Sequence, residues 1–289
     1  MSQVPHPEFA QITEDALTRM EDAPQARLQA VLAIIIRHLH DAIREARVTE
    51  FEWEEGIRFL TRTGQTCDTH RQEFILLSDV LGVSMLVDAL NHTGADGISE
   101  STVFGPFYAG KQPTIALGSS ILKRPEEADA LSIHGRVRAS DGTPISGALV
   151  EVWQTAPNGL YDVQDEDQPA GHLRGSFETD GNGTYAFQTV VPVSYAIPND
   201  GPVGELLKAL GRHPNRPAHV HFMITAPGYR RLVTHLFIDG DPYLKSDAVF
   251  GVKSSLIVTP QPTGSGCLSI GYDFILSAED PVAGLHGSQ

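Results

Sequence analysis

The stretch LSIHGRVRASDGTPISGALVEVWQT, Leu131 to Thr155, decides the fold class. Leu131, Ile133 and Val137 fall on alternate positions, and so do Ala148, Val150 and Val152. Each half therefore reads as a strand with one apolar face. Asp141, Gly142, Thr143 and Pro144 between them are turn formers, which gives two strands around a turn. The grammar returns in GSFETDGNGTYAFQTVVP (Gly175–Pro192) and in RPAHVHFMITAPGYRRLVTHLFI (Arg216–Ile238). Short strands punctuated by Gly, Pro, Asn and Asp, with no helical pattern between them, predict an antiparallel β-sandwich. One short helix is expected at VGELLKALG, from Val203.

The first hundred residues read as helical. APQARLQAVLAIIIRHLHDAIREARV places Leu28, Val31, Leu32, Ile35, Leu39 and Ile43 at helical spacing, with Pro24 where a first-turn proline is tolerated. Thr49 and Glu52 form a capping-box pattern. THRQEFILLSDVLGVSMLVDALNH is apolar almost all round from Phe74 to Leu90, which predicts a helix buried on every side. The fold class is thus α+β, with a helical domain over 1–100 followed by a β-sandwich domain over 101–289.

The chain of 289 residues carries 21 basic and 36 acidic side chains, a formal charge of −15. That argues against a nucleic-acid partner, which selects a basic face. Two cysteines, Cys67 and Cys267, without a CxxC pair exclude a disulfide scaffold and a thiolate zinc site. The opening MSQVPHPEFAQ lacks a signal-peptide layout, and AVLAIII (Ala30–Ile36) is too short to span a bilayer. A cytoplasmic protein with no membrane span is expected.

RPAHVHF puts His219 and His221 on one strand face, with Val220 and Phe222 on the other. Two imidazoles in a central strand require partners, and a metal ion is one such partner. Asp239, Asp241, Tyr161 and Tyr195 are the available oxygen donors for completing a site.

STVFGPFY (Ser101–Tyr108), GALVEVWQTAPNGLYDVQD (Gly147–Asp165), YAIPNDGPVGELL (Tyr195–Leu207) and RPAHVHF occur in that order. With the N-terminal helical segment, these blocks resemble the intradiol ring-cleaving dioxygenases of the catechol and hydroxyquinol type over nearly the whole chain. The resemblance implies one Fe(III) per subunit held by Tyr161, Tyr195, His219 and His221, with Tyr195 and His219 axial and a hydroxide in the fifth position. Two phenolates and a hydroxide offset the charge of ferric iron. It implies that an aromatic diol and dioxygen are the substrates, that Tyr195 takes a substrate proton as general base, and that Arg216 faces the ring as a catalytic cation. Leu76, Asp79, Val103, Phe104, Gly105, Pro106, Phe107, Ile197 and Pro198 would line the pocket with Arg216.

Leu76 and Asp79 match the hydroxyquinol branch, in which Asp79 accepts the additional ring hydroxyl of 1,2,4-trihydroxybenzene. The product would be 3-hydroxy-cis,cis-muconate or its keto form maleylacetate; catechol, giving cis,cis-muconate, is the alternative substrate. An Asp79 that merely packs would pair with Arg58 or Arg62. His235 stands near the metal where catechol-cleaving relatives carry glutamine. His172, His213 and the N-terminal histidines read as surface residues. The resemblance also implies a homodimer through the N-terminal helices, with an apolar tunnel for a phospholipid. A reading of another class is a non-catalytic, transthyretin-like sandwich that holds a partner, suggested by HGRVRASDGTPISGALVEVW. Such a module has no use for two tyrosines beside His-x-His.

Overall fold

In a computed structural model, which describes residues 7–68, 71–92, 97–264 and 266–279, the chain divides into two units, Met1–Arg62 and Thr63–Gln289. In the first unit α1 (Pro7–Thr18) packs on α2 (Ala26–Ala46). Thr13 Oγ1 meets His40 Nδ1 at 2.9 Å, and Arg44 donates to Thr13 Oγ1 and to the Phe9 carbonyl. Pro24 stands outside α2, whose N-cap is Gln25, so the proline precedes the first turn instead of filling it. The capping box opens α3 (Glu50–Thr66) as expected: Thr49 Oγ1 accepts from the Glu52 amide at 3.2 Å, and Glu52 Oε2 accepts from the Thr49 amide at 2.8 Å. The apolar stripe of α2 is present but uncovered, with Leu28 50%, Ile35 51% and Leu39 54% exposed.

The second unit begins with a correction. The predicted all-buried helix is two helices, α4 (Glu73–Val80) and α5 (Val83–Asn91); Thr69 and His70 at its predicted start lie outside the described residues. Gly82, at φ +74°, turns the chain left-handed between them, a conformation nearly reserved for glycine. Leu76, Asp79, Val80 and Met85 face inward and are buried, while Phe74, Ile75, Leu86, Val87 and Leu90 are exposed. Uniform apolarity gave no direction of burial, and the described residues supply neighbours on one side only.

The strands follow in chain order. They are β1 (Ala130–Ala139), β2 (Leu149–Trp153), β3 (Arg174–Glu178), β4 (Thr184–Val190) and β5 (Tyr195–Ala196). After helix α6 (Pro202–Ala209) come β6 (Asn215–Arg216), β7 (His219–Thr225), β8 (Leu232–Ile238) and β9 (Ile257–Val258). The last are β10 (Gln261–Pro262), β11 (Leu268–Gly271) and β12 (Phe274–Leu276). One sheet is built on β1, flanked by β4 on one side and by β11 and β12 on the other, with β10 beyond β11. The other runs β3-β2-β7-β8-β9, and β5 with β6 forms a short ribbon. The sandwich is mixed in direction: β1 pairs in parallel with β11 and β12, and β8 with β9.

Only one of the three strand pairs read from the sequence is a hairpin. β7 pairs with β8 across the Ala226–Tyr229 turn, whereas β1 and β2 lie in different sheets, as do β3 and β4. Alternation records which face of a strand is buried and is silent about its neighbour, since both inner faces of a sandwich are apolar.

Leu131, Ile133 and Phe187 from one sheet meet Val150, Val152, Phe177, Val220, Phe222 and Ile224 from the other in a single buried cluster. Each such side chain contributes about 1.5–3 kcal/mol through burial. The opposite face of the second sheet is the unusual one. Its registers place Arg174, Trp153, His221 and His235 side by side across four strands. All four are buried, although they point away from the apolar core.

Candidate metal centre and ring pocket

β7 presents His219 and His221 together on this outer face because they are two residues apart. The β5–β6 ribbon sets Tyr195 opposite Arg216, and Pro217 and Ala218 then lead directly into β7. Tyr161 comes from the connection between β2 and β3, where its amide donates to Gln164 Oε1 at 3.1 Å. The four polar atoms meet in the interior. His219 Nε2 lies 3.1 Å from His221 Nε2, which is 2.9 Å from Tyr161 Oη, and that oxygen is 3.4 Å from Tyr195 Oη. All four side chains are at most 7% exposed.

The protonation pattern suits a metal. His219 Nδ1 donates to the Pro217 carbonyl at 2.7 Å, which leaves the Nε2 lone pair aimed at the centre. Burial, followed by the nearby Arg216 charge, pulls the His219 imidazole down to about 3. Burial likewise holds His221 neutral, well below its ordinary value. Burial and then Tyr195 push the Tyr161 phenol well above its ordinary value. Only a strong local cation would ionise it, and a metal ion is such a cation. The donor set therefore fits a metal cofactor.

His219, His221 and His235 also form a compact three-histidine group. His235 is nevertheless on the wrong side to share an ion with the tyrosines. Its Nε2 approaches His221 Nδ1 at 2.7 Å, and its own Nδ1 meets Thr102 Oγ1 at 2.9 Å. With His221 Nε2 turned to the centre, Nδ1–H donates to His235, whose Nδ1–H donates to Thr102. His235 thus orients the His221 ring.

Arg216 is 2% exposed and is clamped by Asp247, with Nε to Oδ1 at 3.1 Å and Nη2 to Oδ2 at 3.4 Å. Burial raises the Asp247 carboxyl, but the Arg216 charge, its hydrogen bonds and the Val249 amide together outweigh it and leave Asp247 below its ordinary value. The Val249 and Gly251 amides donate to the same carboxylate. The remaining guanidinium nitrogen, Nη1, lies 3.4 Å from His219 Nε2.

The expected pocket residues separate into two groups. Leu76, Val103 and Ile197 join Val80, Ala248 and Val249 in one buried apolar cluster, and Asp79 is buried on the same helix as Leu76. Phe107 stacks on Tyr161 with ring centroids 4.6 Å apart. Gly105, at φ +74°, passes so close to His221 that a Cβ would stand 3.2 Å from Cε1. Phe104 instead packs on Tyr108 and Trp153 and is 40% exposed, Pro106 is exposed, and Pro198 is half-buried. Burial raises the Asp79 carboxyl, and the nearby Ser84 hydroxyl and Arg216 charge offset it only in part. Arg58 pairs with Glu54 and Glu55.

Asp239 and Asp241 serve turns: Asp241 accepts from the Ala218 and Tyr243 amides, and Asp239 from Gly240 and Thr259. His172 is a correction, being 1% exposed and not on the surface. His213 is half-buried against Tyr243, and His6 lies outside the described residues. Sequence reasoning did not find Thr102, Trp153, Arg174 or Asp247, whose roles arise across strands. A surface cleft of ≈ 490 Å³ includes Asp247 but none of the four donors, so cleft size does not locate the chemistry.

Residues 104–278 match the family model described as Dioxygenase, and residues 25–98 match Catechol dioxygenase N terminus. The chain belongs to the intradiol ring-cleavage dioxygenases. It is 49% identical to the 6-chlorohydroxyquinol 1,2-dioxygenase of Cupriavidus pinatubonensis, over 92% of this chain and 96% of that one. The structure of the hydroxyquinol 1,2-dioxygenase of Pseudomonas putida DLL-E4 superposes with a TM-score of 0.89 at 50% identity, covering 94% and 99%. The catechol 1,2-dioxygenase of Acinetobacter radioresistens gives 0.83 at 30% identity, covering 99% and 98%. This dioxygenase is accordingly an oxidoreductase that opens an aromatic diol with dioxygen, and the reading as a non-catalytic sandwich is set aside. No helix among the described residues is long and apolar enough to cross a membrane.

Proposed function

We propose that the enzyme cleaves hydroxyquinol between its two adjacent hydroxylated carbons, on an iron(III) ion held by Tyr161, Tyr195, His219 and His221. One dioxygen molecule is incorporated whole, giving 3-hydroxy-cis,cis-muconate or its keto form maleylacetate. The observation that carries the reading is the convergence of two phenol oxygens and two neutral imidazole nitrogens at 2.9–3.4 Å in a buried site. Relatives named for hydroxyquinol substrates reach 49–50% identity, against 39% and 30% for two relatives named for catechol.

Bound iron(III) supplies Lewis-acid activation of the diol. The chain's own residues do the rest. Tyr195 Oη receives a hydroxyl proton from the diol, which ties proton removal to substrate entry. Arg216, charged and locked by Asp247, opposes negative charge that develops on the ring. Leu76, Val103 and Ile197 form an apolar wall that excludes water. Asp79, within that wall, accepts the hydrogen bond of the third ring hydroxyl, a group catechol lacks.

The 1–100 segment is the dimerisation domain and 101–289 the catalytic domain in this reading. The exposed stripe of α2 is the face for a second copy and for phospholipid acyl chains. Two free cysteines suit the reducing cytoplasm.

Oxygen uptake with hydroxyquinol and catechol side by side tests the substrate. Asp79→Ala should lower kcat/KM for hydroxyquinol by about 10-fold or more, the value of one buried hydrogen bond, and leave catechol nearly unchanged. Equal losses on both would remove Asp79 from specificity. Iron-loaded protein should be red-brown from phenolate-to-iron charge transfer, and Tyr161→Phe should lose both colour and iron. A colourless, iron-replete preparation would refute the ligand assignment.

A further inference from the structure

Behind the metal donors the outer face of the β3-β2-β7-β8-β9 sheet holds a second polar cluster that the reaction does not use. In the β2–β3 ladder Trp153 stands opposite Arg174 and Glu151 opposite Ser176, in adjacent rows on one face. All four are buried: Trp153 1%, Arg174 5%, Ser176 0% and Glu151 5% exposed. With Tyr108 and Gln112 they line one small cavity. Trp153 Nε1, Arg174 Nη2 and Ser176 Oγ have no hydrogen-bond partner there among the described residues. A buried polar group left without a partner is costly, so three around one cavity call for a shared partner.

Size and charge identify that partner. The cavity leaves ≈ 10 Å³ for the centre of a water-sized sphere, about what one buried water needs. Arg174 already donates from Nε to Asp162 at 2.6 Å, and Glu151 already accepts from Tyr108 Oη at 2.9 Å. Two carboxylates around one guanidinium leave no positive excess to hold an anion. The indole and guanidinium donors, for their part, repel a metal cation.

We propose that this cavity binds one water molecule, which accepts from Trp153 Nε1 and Arg174 Nη2 and donates to Glu151 and Ser176 Oγ. The water joins the two supports of the metal centre. Trp153 stacks on the His221 ring at 4.7 Å and 12°, and the Arg174 guanidinium carbon lies 5.7 Å from the Tyr161 ring centroid. The inference rests on the sheet registers and stands whichever metal the four donors hold.

A high-resolution crystal structure of the metal-loaded enzyme tests it. The expected result is one ordered water within hydrogen-bond distance of Trp153 Nε1 and Arg174 Nη2. Ser176→Val, which removes a partner and fills the space, should abolish that density, while Ser176→Ala should keep it. A dry cavity, a Gln112 side chain filling it, or an anomalous bromide peak there after soaking would each overturn the proposal. So would a water unmoved in Ser176→Val. If that variant does not fold, the wild-type density and the bromide soak still decide.

Discussion

At the scale of single residues, much of the chemistry is set by groups that never meet the substrate. Asp247 fixes Arg216 through two hydrogen bonds and is fixed in turn by two backbone amides. Asp247→Asn keeps the size but removes the charge, so the guanidinium should lose its fixed position. We expect kcat/KM to fall on the order of 10²-fold, the effect of roughly 1 Å of misplacement, with metal content unchanged. Loss of metal together with activity would instead make Asp247 a structural residue. His172 makes a pH prediction. Its Nδ1 accepts from the Lys123 amide at 3.0 Å, so Nε2–H donates to Glu126 at 2.9 Å and the ring is neutral. Burial holds its pKa below the ordinary value of 6.5. A lowered histidine pKa means that the native state is favoured above 6.5 and loses that contribution as pH falls through the folded pKa. Thermal unfolding of His172→Gln should therefore depend less steeply on pH below 6.5 than wild type; identical slopes would exclude this group. His219 and His221 could be read from their spacing, whereas Asp247, 31 residues from Arg216, carries no local signal.

At the scale of elements, β7 does two jobs with one alternation. Val220, Phe222 and Ile224 enter the core, and His219, His221 and Met223 take the outer face. Phe222, 0% exposed, packs against the Phe187 and Phe274 rings. Phe222→Ala should cost about 3–5 kcal/mol by denaturant titration. Metal affinity should drop less steeply, because the histidines face the other way. A loss under 1 kcal/mol would mean that the core can collapse around this site. The strand was legible because its period is two. Two of the three pairings were not, since β1 and β2, like β3 and β4, part company into different sheets for reasons of packing that no local pattern records. The break at Gly82 was missed because a nearly continuous apolar run reads as one buried helix, where the chain forms α4 and α5.

At the scale of the whole molecule, the question is what covers α2. Leu28, Leu32, Ile35, Leu39 and Ile43 form one stripe, each at least 38% exposed, and a stripe of that length marks an interaction surface. Under the proposed dimer, Leu32→Glu with Ile35→Glu should shift sedimentation from the mass of two chains to that of one. A wild-type protein that already sediments as a single chain would end the dimer proposal. The sequence by itself determined the α+β class, the capping box, the strand faces and the identity of the candidate donors, because period, turn chemistry and motif order are local properties. Tertiary structure alone decided which strands are neighbours, and hence the Arg174–Trp153–His221–His235 row, the Thr102 contact and the Asp247 clamp. Those pairings join residues far apart in the chain, and they are selected by how two apolar faces close on each other.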